Sequence, residues 1–251
     1  MKKVFLICTM CLMALTMYAQ KRAVLVSQLG TKATVEEKGK ISNSSRTSFS
    51  PDNDNNIDTF GYVDLGLSVK WATCNLGATK PEELGDFYAW GEISSKLSYS
   101  YFEYKWSYDG KSTTLSKYNT KYSHGVVDRK KVLDADDDVA HVKLGGRWRI
   151  PTCAEWKELL KKCTWTWTTQ GGVIGYKVTS KINGNSIFLP AALYRDGVRV
   201  NSHGTYCGYY WSSSLVTVDP SYAWDLYFSE VTLHVSNDYR SRGQSVRPVT
   251  E

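Results

Sequence analysis

The sequence predicts an α+β fold in which antiparallel β-sheets surround one main amphipathic helix, at about residues 152–163, with long surface loops. Three observations predict it. Trp156, Leu159, Leu160 and Cys163 recur at the spacing of a single helix face, with Lys157, Glu158, Lys161 and Lys162 opposite. After that helix, apolar and polar residues alternate as they do in half-buried strands. Asn183-Gly184 and Asp196-Gly197 supply the turn pairs that close antiparallel hairpins.

The chain opens on an export signal. Lys2 and Lys3 precede an apolar run from Val4 to Met17, and Ala19 offers a small residue at a cleavage point, so the mature chain begins at Gln20. The run is too short for a membrane span, and no transmembrane segment is expected after the signal is removed. Cys8 and Cys11 have CxxC spacing but leave with it. Residues 20–60 are polar and read as a tether. Their acidic run, Asp52 to Asn56, lacks the glycine and closing carboxylate of a calcium loop.

From Gly61 the texture becomes that of a domain, 61–251. Tyr62–Leu67 and Val69–Thr73 read as two short strands about a turn, and Asp86–Trp90 as a third. Residues 94–125, rich in Ser, Tyr and Lys, read as a long surface insertion with little regular structure. Asp134, Asp136 and Asp138 have one-three-five spacing. Val139 and Gly145 then stand where a calcium loop needs glycine and a bidentate glutamate, so an acidic turn or helix start is expected and no metal. Thr152 and Glu155 form a capping box at the start of the central helix. Thr164–Thr168 alternates strictly, placing Trp165 and Trp167 on one face. Tyr176–Ser180 and Ser186–Leu189 flank the Asn183-Gly184 turn.

In the final hairpin, Tyr222, Trp224, Leu226 and Phe228 are expected inward, with Ala223, Asp225 and Tyr227 opposite. Ser229-Glu230 is read as the turn, with Val231, Leu233 and Val235 inward and Thr232 and His234 outward. The outward residues and adjoining loops include Asn201, Ser202, Ser236 and Arg240 and make a Tyr/Ser/Asn/Asp/His surface of the kind found in paratopes. Its candidate ligand-binding residues are His203, Tyr206, Tyr209, Asp225, Tyr227, His234, Asn237, Asp238 and Tyr239.

The composition narrows the function classes. Aromatics make up 13% of the 251 residues, with nine Trp and seventeen Tyr, enough for a substantial core. The net charge of +6 falls by two, to +4, when Lys2 and Lys3 leave, and no basic block points to nucleic acid. Cys74, Cys153, Cys163 and Cys207 remain. An oxidising compartment permits disulfides among them, but Cys153 and Cys163 stand about 15 Å apart along a helix and cannot pair with each other. Buried thiols are expected at Cys74 and Cys163.

Several ordered motifs carry a resemblance. Tyr62-Val63-Asp64-Leu65-Gly66-Leu67, Trp71 through Ala78 (WATCNLGA), Gly91-Glu92, Gly145 through Thr152 (GGRWRIPT), Tyr210-Trp211-Ser212-Ser213-Ser214 and Ser245-Val246-Arg247-Pro248-Val249 resemble the Fibrobacter succinogenes major paralogous domain family over about residues 61–249. The resemblance implies a C-type-lectin-like domain, in a superfamily that includes formylglycine-generating enzymes and the targets of diversity-generating retroelements, with a C-terminal display surface. Two departures matter. The Glu-Pro-Asn, Gln-Pro-Asp and Trp-Asn-Asp motifs of calcium-dependent lectins are absent, and the C-terminal cysteine pair of the enzymes is reduced to Cys207.

No nucleophile elbow, metalloprotease helix, phosphate loop or dinucleotide fingerprint occurs. Convergence of His203, His234 and Asp225 on one outer face, or Cys207 beside a histidine, would be needed for catalysis. The expectation is therefore an exported (secreted, periplasmic or surface-associated) non-catalytic module binding a glycan or protein, without cofactor. The alternatives are an envelope assembly protein that self-associates and an enzyme of the same superfamily.

Overall fold

The computed structural model describes residues 60–201 and 206–251. The expected signal, the tether up to residue 59 with its acidic run, and the candidate His203 lie outside the described residues. No helix among those described is long and apolar enough to cross a membrane.

The architecture is mostly antiparallel β with few helices. Tyr62–Val63 (β1) and Lys70–Ala72 (β2) pair antiparallel, and the chain's last strand, Val249–Thr250 (β11), joins β2 on its other edge. The two ends of the domain are thereby hydrogen-bonded into one sheet. Cys163–Gln170 (β3), Val173–Ser180 (β4) and Ser186–Pro190 (β5) form a second sheet, and Tyr194–Asp196 (β6) with Arg199–Asn201 (β7) a hairpin. Cys207–Leu215 (β8), Tyr222–Ser229 (β9) and Leu233–Tyr239 (β10) form the third sheet, with β9 central. Among the described residues the α-helices are Val139–Leu144 (α1) and Cys153–Lys162 (α2), beside three single-turn 3-10 helices.

The predicted helix is α2, and its start is made as expected. Thr152 Oγ1 accepts the Glu155 N–H (3.3 Å), and Glu155 Oε2 accepts the Thr152 N–H (2.7 Å). Arg149 also donates to both Glu155 oxygens, at 2.8 and 2.6 Å, holding the Glu155 carboxyl below its ordinary range against the cost of burial. Thr152→Ala is expected to cost about 1 kcal/mol and to lower the Tm by roughly 2–4 °C, read by thermal melting.

The buried face of α2, Trp156 and Leu159, packs with Trp71, Val178, Leu189, Tyr210, Leu226 and Phe228 into the main core. Trp165 and Trp167 lie on one face of β3 against that core, as their alternation predicts. Gly208 stands opposite Phe228 on β9, and a Cβ there would meet the ring at 2.1 Å, so only glycine admits it. Cys74 and Cys163 are buried thiols, and no disulfide joins the four described cysteines.

Three expectations need correction. Asp86–Trp90 makes one bridge, Tyr88 to Gln244, instead of a regular strand. The 94–125 stretch is irregular but not merely superficial. Tyr99, Tyr104, Leu115 and Tyr118 are buried; tyrosine can fill a core while its hydroxyl finds an internal partner, the Phe87 and Trp90 carbonyls for Tyr99 and Tyr104 and the Asp137 carboxylate for Tyr118. The last hairpin turns one residue later than expected, closed by the Ser229 N–H on the Thr232 carbonyl, so Val231 sits exposed at its tip.

The acidic run before α1 serves structure. Asp138 caps the helix by accepting the Ala140 and His141 N–H groups, and also accepts from Ile150 N–H. Asp137 binds Lys105, Lys117 and the Tyr118 hydroxyl, and Asp134 binds Lys117 and Lys130.

Candidate ligand-binding face

Strand register places most of the candidate residues together. On the β8–β9–β10 sheet, Tyr209 lies opposite Tyr227, which lies opposite His234. Trp211, Asp225 and Ser236 form the next row, and Ala223 faces Asp238. Side chains alternate across a strand, so these residues share one face.

The upper part of this face is an aromatic ladder. Ring centroids are 4.9 Å apart for Tyr209–Tyr227 and 5.4 Å for Tyr227–His234. The buried ring of Tyr194 in β6 backs it, 4.8 Å from Tyr209. His234 is exposed, Tyr209 and Tyr227 are half-buried, and burial raises the Tyr209 hydroxyl above its ordinary pKa.

The lower part is closed. Trp211, Leu215 and Ala223 pack under Tyr88, Trp90 and Val246, so the sheet is covered on both faces. Asp225 and Asp238, expected outward, are 1% and 6% exposed. The alternation predicted the correct face for Asp225, and Asp238, read as a loop residue, lies on β10 on the same face; the irregular half of the domain then lies over both. The Tyr88–Gln244 bridge brings Gln244 over the strands, where its Nε2 donates to Asp225 Oδ2 (2.8 Å) and Asp238 Oδ2 (3.2 Å). Asp225 Oδ1 and Gln244 Oε1 are buried with no hydrogen-bond partner. Burial pushes the Asp225 carboxyl up to about 8 and raises that of Asp238 as well.

Arg242 links this buried acid pair to the surface. It donates to Asp238 Oδ1 (2.5 Å) and Asp196 Oδ2 (3.2 Å), and its guanidinium lies over the rings of Tyr194 (4.8 Å) and Tyr239 (5.4 Å). Tyr239 and Asn237 project from the other side of β10, opposite Tyr222 and Trp224. Tyr239 stacks on Tyr222 at 4.4 Å and is 38% exposed. Tyr206 precedes β8 and is exposed. Arg240, which reads as a display residue, is fully buried: its guanidinium bonds the Tyr104 hydroxyl and the carbonyls of Lys117, Tyr118 and Pro220, over the rings of Trp90 and Tyr104.

Sequence reasoning thus found Tyr209, Tyr227 and His234 as a surface group. It missed Tyr194, Tyr222, Asp196 and Arg242, which join only through pairings between distant strands and loops. The Asp238/Arg242 spacing of four residues was the one local signal. A cleft of about 370 Å³ opens beside Tyr239 and Arg242, bounded by Ser100, Tyr101, Ser112 and Asp196.

Cys207 is buried, and burial raises its thiol pKa. Asp225 is sealed beneath Gln244, and the ring contact of His234 is with Tyr227. His124 touches Asp219 (3.3 Å) and Ser123 (3.0 Å), where Thr120 also bonds the Thr217 carbonyl, pinning the insertion to the β8–β9 connection.

No protein-family model, curated protein or solved structure significantly matches this chain.

Proposed function

We propose that this chain is an exported, non-catalytic ligand-binding module that captures a glycan or protein surface on its C-terminal face. The observation that carries the reading is the aromatic ladder Tyr209–Tyr227–His234, with centroid steps of 4.9 and 5.4 Å, backed from below by the buried ring of Tyr194 at 4.8 Å. Rigid rings carrying polar tips give contact area at low entropic cost, which is what a recognition surface needs. The export signal at 1–19 supports the location, and the motifs quoted above support a C-type-lectin-like domain of the Fibrobacter succinogenes major paralogous domain family. Pairing of the domain's two ends in the β1–β2–β11 sheet, one longer helix and extensive loops are compatible with that fold.

The test is binding to arrays of glycans and cell-surface proteins, with and without chelator, for the parent chain, Tyr227→Ala and Asn237→Ala. Tyr227→Ala is expected to weaken binding about tenfold or more, near 1.4 kcal/mol, while Asn237→Ala changes it little and chelator has no effect. Equal binding by both variants, each with the parent Tm, would remove the ladder from the site.

A further inference from the structure

Deepening that reading, and resting on it, we propose that the cleft between the 94–125 insertion and the end of β10, whose Tyr239 wall lies on the other side of β10 from the ladder, is the specificity pocket of the module, and that it takes a neutral, hydroxyl-rich ligand: one sugar ring of a glycan chain. The ladder offers stacking area but little that discriminates. The cleft offers both an aromatic wall and a paired donor and acceptor.

The wall is preorganised from three parts of the chain. Tyr239 is held by stacking on Tyr222 at 4.4 Å with 26° between planes, and by an edge contact with Tyr101 at 6.0 Å. Tyr101 is itself fixed, its hydroxyl donating to the Ser221 carbonyl. Neither ring must be ordered when a ligand arrives, which lowers the entropic cost of binding. An apolar sugar C–H face packs on such a wall, and its hydroxyls need donors and acceptors side by side. Asp196, with 48% of its side chain exposed, supplies acceptors; Arg242, with 25%, supplies donors 3.2 Å away.

Charge decides against an anionic ligand. Arg242 is already held by Asp196 and Asp238, so it offers no uncompensated cation to a carboxylate or phosphate. Size agrees: about 370 Å³ lies at the lower end of small-ligand pockets, room for one ring with its substituents. The seats of Asp196 and Tyr239 lie 43 residues apart in sequence, and Ser100 and Ser112 come from the insertion, so the pocket exists only when the insertion is docked.

The experiment uses the full chain on an array of neutral and uronic-acid-containing oligosaccharides, with affinities then measured by titration calorimetry for the parent, Asp196→Ala and Tyr227→Ala. Asp196 is half-exposed and Arg242 keeps its bond to Asp238, so the Asp196–Arg242 pair adds little to stability and Asp196→Ala should keep the parent Tm. The expected result is binding of at least one neutral saccharide, weakened tenfold or more by Asp196→Ala, with uronic acids bound more weakly. Saccharide binding that Tyr227→Ala removes and Asp196→Ala leaves intact would overturn the cleft assignment while keeping the binding face. Binding of proteins but of no neutral saccharide would do the same. Binding of nothing on either array would overturn the inference and the functional reading together.

Discussion

Arg247→Met is expected to destabilise the domain by about 3–5 kcal/mol, a fall in Tm of roughly 6–20 °C, more than any surface change in the molecule. Arg247 is fully buried. Its Nε donates to Asn75 Oδ1 (2.9 Å), Nη1 to the carbonyls of Ala72 (3.0 Å) and Thr73 (3.1 Å), and Nη2 to the Phe188 carbonyl (2.9 Å). One guanidinium thus ties the end of β2 to β5 from a position two residues before β11. These partners are carbonyl and amide oxygens, not carboxylates, and burial lowers the Arg247 pKa to about 10, which still leaves it charged at neutral pH. Methionine fills the volume but strands three buried acceptors and a part-buried one, and each unmade buried bond costs about 1–3 kcal/mol. Arg247→Lys should be almost as damaging, because an ammonium presents its donors from one point and cannot reach acceptors spread over a planar fork. Urea unfolding of the three proteins checks this. A loss below about 1 kcal/mol for either variant would mean the carbonyls find water and the clamp is dispensable.

Asp225→Asn is expected to stabilise the protein at alkaline pH and to flatten its pH profile. An aspartate in an unfolded chain titrates near 3.9, whereas in the fold Asp225 titrates at about 8. Between those values the folded state holds a proton that the unfolded state has released. The stability this confers is therefore full below about pH 4, falls as pH rises through the interval, and is gone above about 8. Asp238, also raised, contributes with the same sign. Asp137 and Glu155 act oppositely. Their lowered pKa values confer stability above the ordinary carboxylate range that is lost as pH falls through it. Stability should consequently peak on the acid side of neutrality. Asn at position 225 cannot ionise, and its amide can donate to Gln244 Oε1, which now lacks a donor. The expected gain at pH 9 is on the order of 2 kcal/mol, with little change at pH 4. Melting curves from pH 4 to 9 decide it; parallel profiles for the two proteins would show that Asp225 is not the titrating group.

Much of the fold was legible because its signals are local. A capping box is satisfied within four residues, so Thr152 and Glu155 announce α2 without any tertiary knowledge. Strand alternation is equally local, and it placed Tyr227 and His234 outward; Tyr209, read as part of an adjoining loop, joins them only through the β8–β9 pairing. It could not tell whether that face meets water, since burial depends on what else arrives there. Asp225 and Asp238 occupy the expected face yet lie in the interior, because Gln244 and the Tyr88 segment fold across them. The insertion misled for the opposite reason: few branched aliphatics suggested a surface loop, but Tyr99, Tyr104 and Tyr118 build a core from rings whose hydroxyls are satisfied internally.

The sequence by itself determined the β-rich class, the position and cap of the helix α2, the turn pairs, and which side chains of the last hairpin share a face. Each depends on interactions between residues a few positions apart. Only the tertiary structure decided which part of that face stays open, that Arg240 and Arg247 are core cations, and that Tyr101, Asp196, Tyr239 and Arg242 meet at one cleft. Those outcomes depend on contacts between residues tens to more than a hundred positions apart, whose energies belong to the packed arrangement and leave no periodicity in the chain.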